Sequence, residues 1–242
     1  DKGIDQLSYL QLTSDNHCID NLNGIINYSR INIKDTKNTV KSIPNIKGVI
    51  SSIDYSPNGE QYVVGMSDVV TNYGTNFTED ISYISTISIY DVITCSQIYT
   101  NSFGQPNSRY NIPNVIRFNP DQKQKQIVAG FGTFINIITY DTTTGNVQRF
   151  DLGSTVYDII YNTDGTQFAV SFGTKVRIYN YDPSAKNWRI LKNIDKNGLI
   201  NSMVYSGEND THIIISYTNT NDFQVEIIDL SNAQTAQTIE LD

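Results

Sequence analysis

A repeat with a period near 40–50 residues is the feature that most constrains how this chain can fold. One copy holds four short segments in order: Val49–Gly59, Gln61–Gly65, Thr86–Val92 and Ser96–Thr100. Each segment alternates apolar and polar residues, which is typical of a strand with one buried face. Pro57–Gly59, at the end of the first segment, is a tight-turn signal. This copy therefore predicts a sheet of four short strands.

The same four-segment pattern recurs after this copy, and a weaker version precedes it. The third segment of each copy ends on a short polar mark, at Asp35, Asp91, Asp141, Asn180 and Asp229. These marks are 56, 50, 39 and 49 residues apart. The repeat divides the chain, taken as one domain over 1–242, into five candidate blades: 1–45, 46–101, 112–151, 154–194 and 198–242.

A period of this length with four strands in each copy is the signature of β-propeller blades. One blade cannot bury both of its faces, whereas stacking blades around an axis buries them. We therefore predict an all-β fold, a β-propeller built of about five four-stranded blades. Three arrangements stay open: a five-bladed ring, a segment of a larger ring, and an open array whose edge strands a partner covers. The alternative fold is a β-sandwich whose strands are similar by accident.

Over residues 46–242 the copies resemble WD40 repeats. Where that family has its Trp-Asp dipeptide, this chain has Tyr90–Asp91, Tyr140–Asp141, Tyr179–Asn180 and Ile228–Asp229. Tyr55–Gly59 and Phe118–Asp121 are similar to the ending of the family's first strand. The Gly-His pair that precedes that strand in the family is absent from every copy, so its buried His–Trp hydrogen-bond network is not expected. The resemblance implies a non-catalytic scaffold. Rings of this family usually have seven or eight blades, which is why a segment of a larger ring is one of the open arrangements.

Composition and charge exclude several classes of function. The net charge of −8 argues against non-specific electrostatic binding to nucleic acid or anionic lipid. With two Cys and two His, neither a disulfide-dense scaffold nor a His-based metal site is expected, and Cys18 and Cys95 are interpreted as buried thiols unless the fold pairs them. No stretch of 18 apolar residues exists, so membrane insertion is not expected. We expect a cytoplasmic protein, cytoskeletal association included, with secretion as the alternative.

Catalytic motifs are missing from the sequence. The two candidate bases, His17 and His212, each begin a strand-like segment, and there is no Gly-x-Ser-x-Gly elbow. Phosphate-binding glycine motifs are absent as well. We therefore predict no enzyme activity, no catalytic or metal-binding residue and no cofactor. The alternatives are a secreted or periplasmic propeller enzyme similar to lactonases or dehydrogenases, which needs metal ligands converging on the axis, and a carbohydrate-binding propeller.

The candidate binding residues come from the two places where the repeat is interrupted. Ser67–Ser85 is interpreted as a long loop between the second and third strands of its blade, and Asn101–Pro113 as the link to the next blade. In WD40 rings both connections lie on the face that usually receives partners. Aromatic and Arg side chains are the ones that anchor protein interfaces. The predicted protein-binding residues are Tyr73, Phe77, Tyr83, Phe103, Arg109 and Tyr110. The predicted partners are other proteins of a multi-subunit intracellular assembly.

Overall fold

Antiparallel sheet accounts for almost all of the described structure. The computed structural model describes residues 10–12, 17–22, 25–30, 39–42, 49–73, 79–105, 112–140, 145–219, 222–231 and 234–240. These residues form twenty strands and one three-residue 3₁₀ turn, Glu208–Asp210, with no α-helix among them. The strands assemble into five four-stranded sheets. The chain divides into two compact units, Asp1–Ile112 and Pro113–Asp242.

The first unit contains two sheets, each a meander in which strands pair in the order of the sequence. One comprises β1 (Leu10–Leu12), β2 (His17–Leu22), β3 (Ile25–Arg30) and β4 (Thr39–Ser42). The other comprises β5 (Val49–Tyr55), β6 (Gln61–Tyr73), β7 (Glu79–Asp91) and β8 (Gln97–Gln105). In the second sheet Tyr62, Val64, Met66 and Tyr90 pack into one cluster, because alternate residues of a strand share a face.

The second unit contains three sheets of the same kind. The first comprises β9 (Val115–Phe118), β10 (Gln126–Gly130), β11 (Phe134–Thr139) and β12 (Asn146–Asp151). The next comprises β13 (Val156–Tyr161), β14 (Gln167–Phe172), β15 (Lys175–Asp182) and β16 (Asn187–Asp195). The last comprises β17 (Leu199–Ser206), β18 (His212–Thr218), β19 (Phe223–Asp229) and β20 (Gln234–Glu240).

The three sheets of the second unit are stacked through their apolar faces. On β14, Phe168 and Val170 belong to a buried cluster shared with the β9–β12 sheet, whereas Ala169 belongs to a second cluster shared with the β17–β20 sheet. The middle sheet is therefore buried on both faces. The first strands lie side by side, β13 against both β9 and β17. In the first of these sheets β9, β10 and β11 are mostly buried, whereas β12 is mostly exposed.

The turn between the first two strands is built alike in several sheets. The Gln61 amide donates to Ser56 Oγ at 2.9 Å, and the Gln167 amide donates to Asn162 Oδ1 at 2.8 Å. Gly59 and Gly165 both have positive φ, 70° and 72°, which glycine adopts without strain. The predicted Pro57–Gly59 turn is thus present, and its counterpart appears where the repeat places it.

These turns also join neighbouring sheets of the second unit. Asn119, which follows β9, donates through Nδ2 to the Gly165 carbonyl at 3.1 Å. The Thr163 amide and hydroxyl donate to the two carboxylate oxygens of Asp210, at 2.7 and 3.1 Å. A polar contact therefore connects the first sheet to the second, and another connects the second to the third.

Aspartate residues hold the turn between the third and fourth strands. Asp91 Oδ1 accepts hydrogen bonds from the Ile93 and Thr94 amides. Asp182 Oδ1 accepts from the Ser184 and Ala185 amides. The sequence pattern predicts the end of this third strand at Asn180. The strand β15 continues for two further residues, so Asp182 caps the turn.

The prediction of an all-β fold built from repeated four-stranded sheets is confirmed by this arrangement. The sheets fall in the order of the repeat, with β8 extending to Gln105 and β16 to Asp195. Closure of the sheets into a propeller ring stays a prediction.

We predict that Gly165→Ala destabilises the protein more than Gly153→Ala does. Both glycines have positive φ, 72° and 76°, so alanine is strained by about 1–2 kcal/mol at either position. A Cβ on Gly165 meets Asn119 Oδ1 at 2.0 Å, whereas a Cβ on Gly153 meets nothing within 4 Å. The added overpacking is worth roughly 1–3 kcal/mol. Urea unfolding of the two variants measures the difference, and equal losses would contradict a close turn contact between the sheets.

Candidate protein-binding surface

The most distinctive element of the first unit is a long two-stranded hairpin. β6 and β7 each contain thirteen residues and stay paired from Gln61 opposite Asp91 to Tyr73 opposite Glu79. The pairing of β5 with β6 ends at Val49 opposite Ser67. Residues 68–73 and 79–84 therefore extend past β5, and we call these two stretches the arm.

The interpretation of Ser67–Ser85 as a loop is wrong for residues 67–73 and 79–85, which belong to β6 and β7; residues 74–78 lie outside the described residues. Both stretches continue the two strands, since Val69, Val70, Ile81 and Tyr83 favour extended backbone and no Gly or Pro interrupts either run. The sequence held a signal for this hairpin: two strand-forming runs of nearly equal length flank a single Gly. The structure thus replaces a long loop with a continuation of the sheet.

Three of the six predicted binding residues lie in this sheet. Tyr73 pairs with Glu79 on the arm, and Tyr83 pairs with Val69 on one side. On its other side Tyr83 pairs with Gln105 of β8. Phe103 is half-buried on β8, opposite Ser85. The other three residues, Phe77, Arg109 and Tyr110, lie outside the described residues.

The register places Tyr73, Tyr83 and Phe103 on one face of the sheet. Directly paired residues of antiparallel strands share a face, as do residues two apart along a strand. The odd-numbered positions of the arm are Val69, Thr71, Tyr73, Glu79, Ile81 and Tyr83. The even-numbered positions are Asp68, Val70, Asn72, Asp80, Ser82 and Ile84. We call the odd-numbered positions together with Phe103 the aromatic face.

A largely buried carboxylate, Asp158, links the first strands of the second unit. Asp158 Oδ2 accepts a hydrogen bond from the Met203 amide at 3.1 Å, and its Oδ1 lies 3.7 Å from an Arg117 guanidinium nitrogen. Burial raises the pKa of the Asp158 carboxyl, while the Met203 amide and Arg117 oppose that effect. Arg117, Asp158 and Met203 belong to β9, β13 and β17, so this group ties three sheets together.

A second buried polar cluster joins the link after β16 to the last sheet. Lys196 Nζ lies 2.5 Å from Glu226 Oε2, with the two side chains 12% and 9% exposed. The Tyr217 hydroxyl donates to Glu226 Oε1. Lys196 Nζ also lies 5.9 Å from the centroid of the Tyr217 ring. Sequence reasoning missed this cluster because the three residues belong to three different elements of the chain.

One of the two candidate bases, His212, and the turn carboxylate Asp164 have hydrogen-bonding contacts within their own turns or strand ends. His212 Nδ1 lies 3.0 Å from the Thr211 hydroxyl. Asp164 accepts hydrogen bonds from the Thr166 amide and hydroxyl within its own turn, which holds the pKa of its carboxyl below the usual value. In the described part of the chain no three His, Cys, Asp or Glu side chains form a metal-binding group.

None of the described residues forms a helix long and apolar enough to cross a membrane. No protein-family model and no curated protein matches the chain. The WD40 resemblance therefore stays a prediction from the repeat itself.

We predict that Lys196→Met is strongly destabilising. It leaves the buried Glu226 carboxylate without its cation, and breaking a buried ion pair in this way costs about 3–5 kcal/mol. Lys175→Met is the matched control, because Lys175 and Asp195 form an exposed pair with side chains 53% and 69% exposed. Such exposed pairs are worth about 0–1 kcal/mol. Similar losses in urea unfolding for both variants would show that the Lys196 pair is not buried.

We also predict that stability falls as pH rises through the window from about 10 to about 12. Burial raises the pKa of Tyr140 to about 12, and burial together with the Glu226 carboxylate raises that of Tyr217 to about 12, from a usual value of 10.0. Between these values the unfolded chain has lost protons that the folded protein keeps, so the pH rise favours unfolding.

Urea midpoints measured between pH 8 and pH 11.5 test this expectation. The midpoint should be insensitive to tyrosine ionisation below pH 10 and should decrease above it, less steeply in Tyr217→Phe. A midpoint that stays constant up to pH 11.5 would contradict the burial of these hydroxyls.

Proposed function

We propose that this chain is a non-catalytic, WD40-like propeller scaffold that binds other proteins within a larger intracellular complex. The observation that carries the proposal is the aromatic face, where the register brings Tyr73, Tyr83 and Phe103 to one side of one sheet. Aromatic side chains are strongly enriched among the residues that dominate binding energy at protein interfaces.

The backbone of the arm supports the same proposal. Its residues are held by pairing between β6 and β7 as far as Tyr73 and Glu79. A binding element that is already ordered loses little conformational entropy when a partner associates. The paired arm is therefore a better docking element than the long loop that the sequence suggested.

The two faces of the arm differ in chemistry, and this difference indicates which face the partner contacts. The aromatic face combines Tyr73 and Tyr83 with apolar residues and has one charged residue, Glu79. The even-numbered face has two charged residues, Asp68 and Asp80, and no aromatic residue. Interface cores are depleted in charge and enriched in aromatic residues, so the partner should contact the aromatic face.

We predict that the double variant Tyr73→Ser, Tyr83→Ser loses partner binding. The chain is used as bait in cells, and partners recovered reproducibly with the unmodified chain are quantified by mass spectrometry. Removing two interface aromatics should reduce their recovery roughly tenfold or more, because such residues often contribute over 2 kcal/mol each.

The matched control is Val70→Ser, Ile84→Ser, which removes two apolar side chains from the opposite face of the same arm. It should retain the recovery of the unmodified chain. Circular dichroism establishes that both variants are folded. Equal recovery with the two double variants would refute the aromatic face as the binding surface.

A further inference from the structure

A groove of about 410 Å³ opens in the second unit beside the link between β12 and β13. It is lined by Gly153 and Ser154 of this link and by Gly173 and Thr174 of the β14–β15 turn. Phe172, Lys175 and Arg177 also line it. The volume lies within the range of small-ligand sites in proteins.

Backbone hydrogen bonds fix both of these lining segments. The Gly153 amide donates to the Thr133 carbonyl at 3.1 Å, and the Gly173 amide donates to the Thr155 carbonyl at 3.3 Å. The Thr174 carbonyl accepts from the Lys196 amide at 2.8 Å. Because both segments are already ordered, binding a ligand costs little of their conformational entropy.

Two cationic side chains lie along this groove. Lys175 and Arg177 are two residues apart on β15, so they share a face of the strand. Arg177 Nε donates to Asn193 Oδ1 at 2.8 Å, and its Cζ lies 5.1 Å from the centroid of the Phe172 ring. These contacts hold the guanidinium in place, and none of them neutralises its charge.

The positive charge in the groove is only partly compensated. Lys175 Nζ lies 3.2 Å from Asp195 Oδ1, and the two side chains are 53% and 69% exposed. An ion pair this exposed is weak and exchanges readily for another carboxylate. The lining residues include two cations and no acidic residue, in a protein whose net charge is −8.

The main chain is open where a ligand would approach. Gly153 has φ +76°, and the position of a Cβ on this residue meets no atom within 4 Å. Glycine at such a position allows close approach to the backbone.

We propose that this groove binds a short, carboxylate-bearing extended segment of a protein partner. This inference rests on the protein-binding function proposed above and adds a second contact, in the other unit, with a defined chemistry. Arg177 would pair with a carboxylate through its planar guanidinium, and Lys175 would exchange Asp195 for a second carboxylate. A long polyanion is disfavoured because the net charge of the protein repels it outside the groove.

A titration of the full chain followed by amide NMR tests the proposal. The probe is the blocked tripeptide Glu-Gly-Glu, and the blocked tripeptide Gln-Gly-Gln is the neutral control. The acidic peptide should shift amide signals of residues 152–155 and 172–177 in a saturable manner, and the neutral peptide should not. Shifts that are scattered over the surface, or equal with both peptides, would overturn the proposal.

Charge-matched variants separate the groove from general electrostatics. Lys175→Gln, Arg177→Gln should weaken binding of the acidic peptide about tenfold, because hydrogen bonds between charged groups are the strong ones. Lys123→Gln, Lys186→Gln removes the same charge at residues that do not line the groove and should leave the affinity unchanged. Equal weakening in both variants would overturn the proposal, as would equal binding of inorganic phosphate at matched ionic strength.

The experiments distinguish failure of the groove proposal from failure of the arm proposal. The Tyr73→Ser, Tyr83→Ser variant should bind the acidic peptide as the unmodified chain does. If the unmodified chain does not bind the acidic peptide at the groove, only this inference is refuted. Unchanged partner recovery with the arm variant refutes only the proposed arm contact.

Discussion

Burial of both faces of one sheet is the constraint on which the second unit depends. On β14, Phe168 and Ala169 are adjacent in sequence and lie in different apolar clusters, one with the preceding sheet and one with the following sheet. An isolated sheet with two apolar faces would expose both to water, so the hydrophobic effect requires a neighbour on each side. The recurrence of the same alternation along the chain follows from this requirement, because each added sheet brings a face that needs the next one.

Polar contacts then fix how the stacked sheets align. Apolar packing is not directional, whereas a buried carboxylate must find its donors. Asp158 meets this condition with Arg117 on one side and the Met203 amide on the other. The Lys196–Glu226 pair acts similarly at the junction of the last two sheets. These groups hold the geometry of the second unit, in which the proposed groove lies.

Much of the fold was predictable from local pattern, and most of the site was not. The strands that begin at Val49, Gln61 and Gln97 follow from alternation and turn residues, which act over a few positions. The extent of β7 was misjudged because its first seven residues, 79–85, were assigned to a loop by comparison with the other copies. Sequence spacing could not reveal that Lys196 meets Glu226, since that contact depends on the stacking of two sheets.

Native-state hydrogen exchange of the full chain tests most directly whether the three sheets of the second unit form one cooperative stack. Amides of β10, β14 and β18, the second strand of each sheet, should exchange at a common slow rate, because opening any sheet exposes a face of its neighbour. The same three groups should also respond equally to added denaturant. Exchange of β18 amides that is orders of magnitude faster than that of β14 amides, with a separate denaturant dependence, would show that the sheets are independent and would contradict the account.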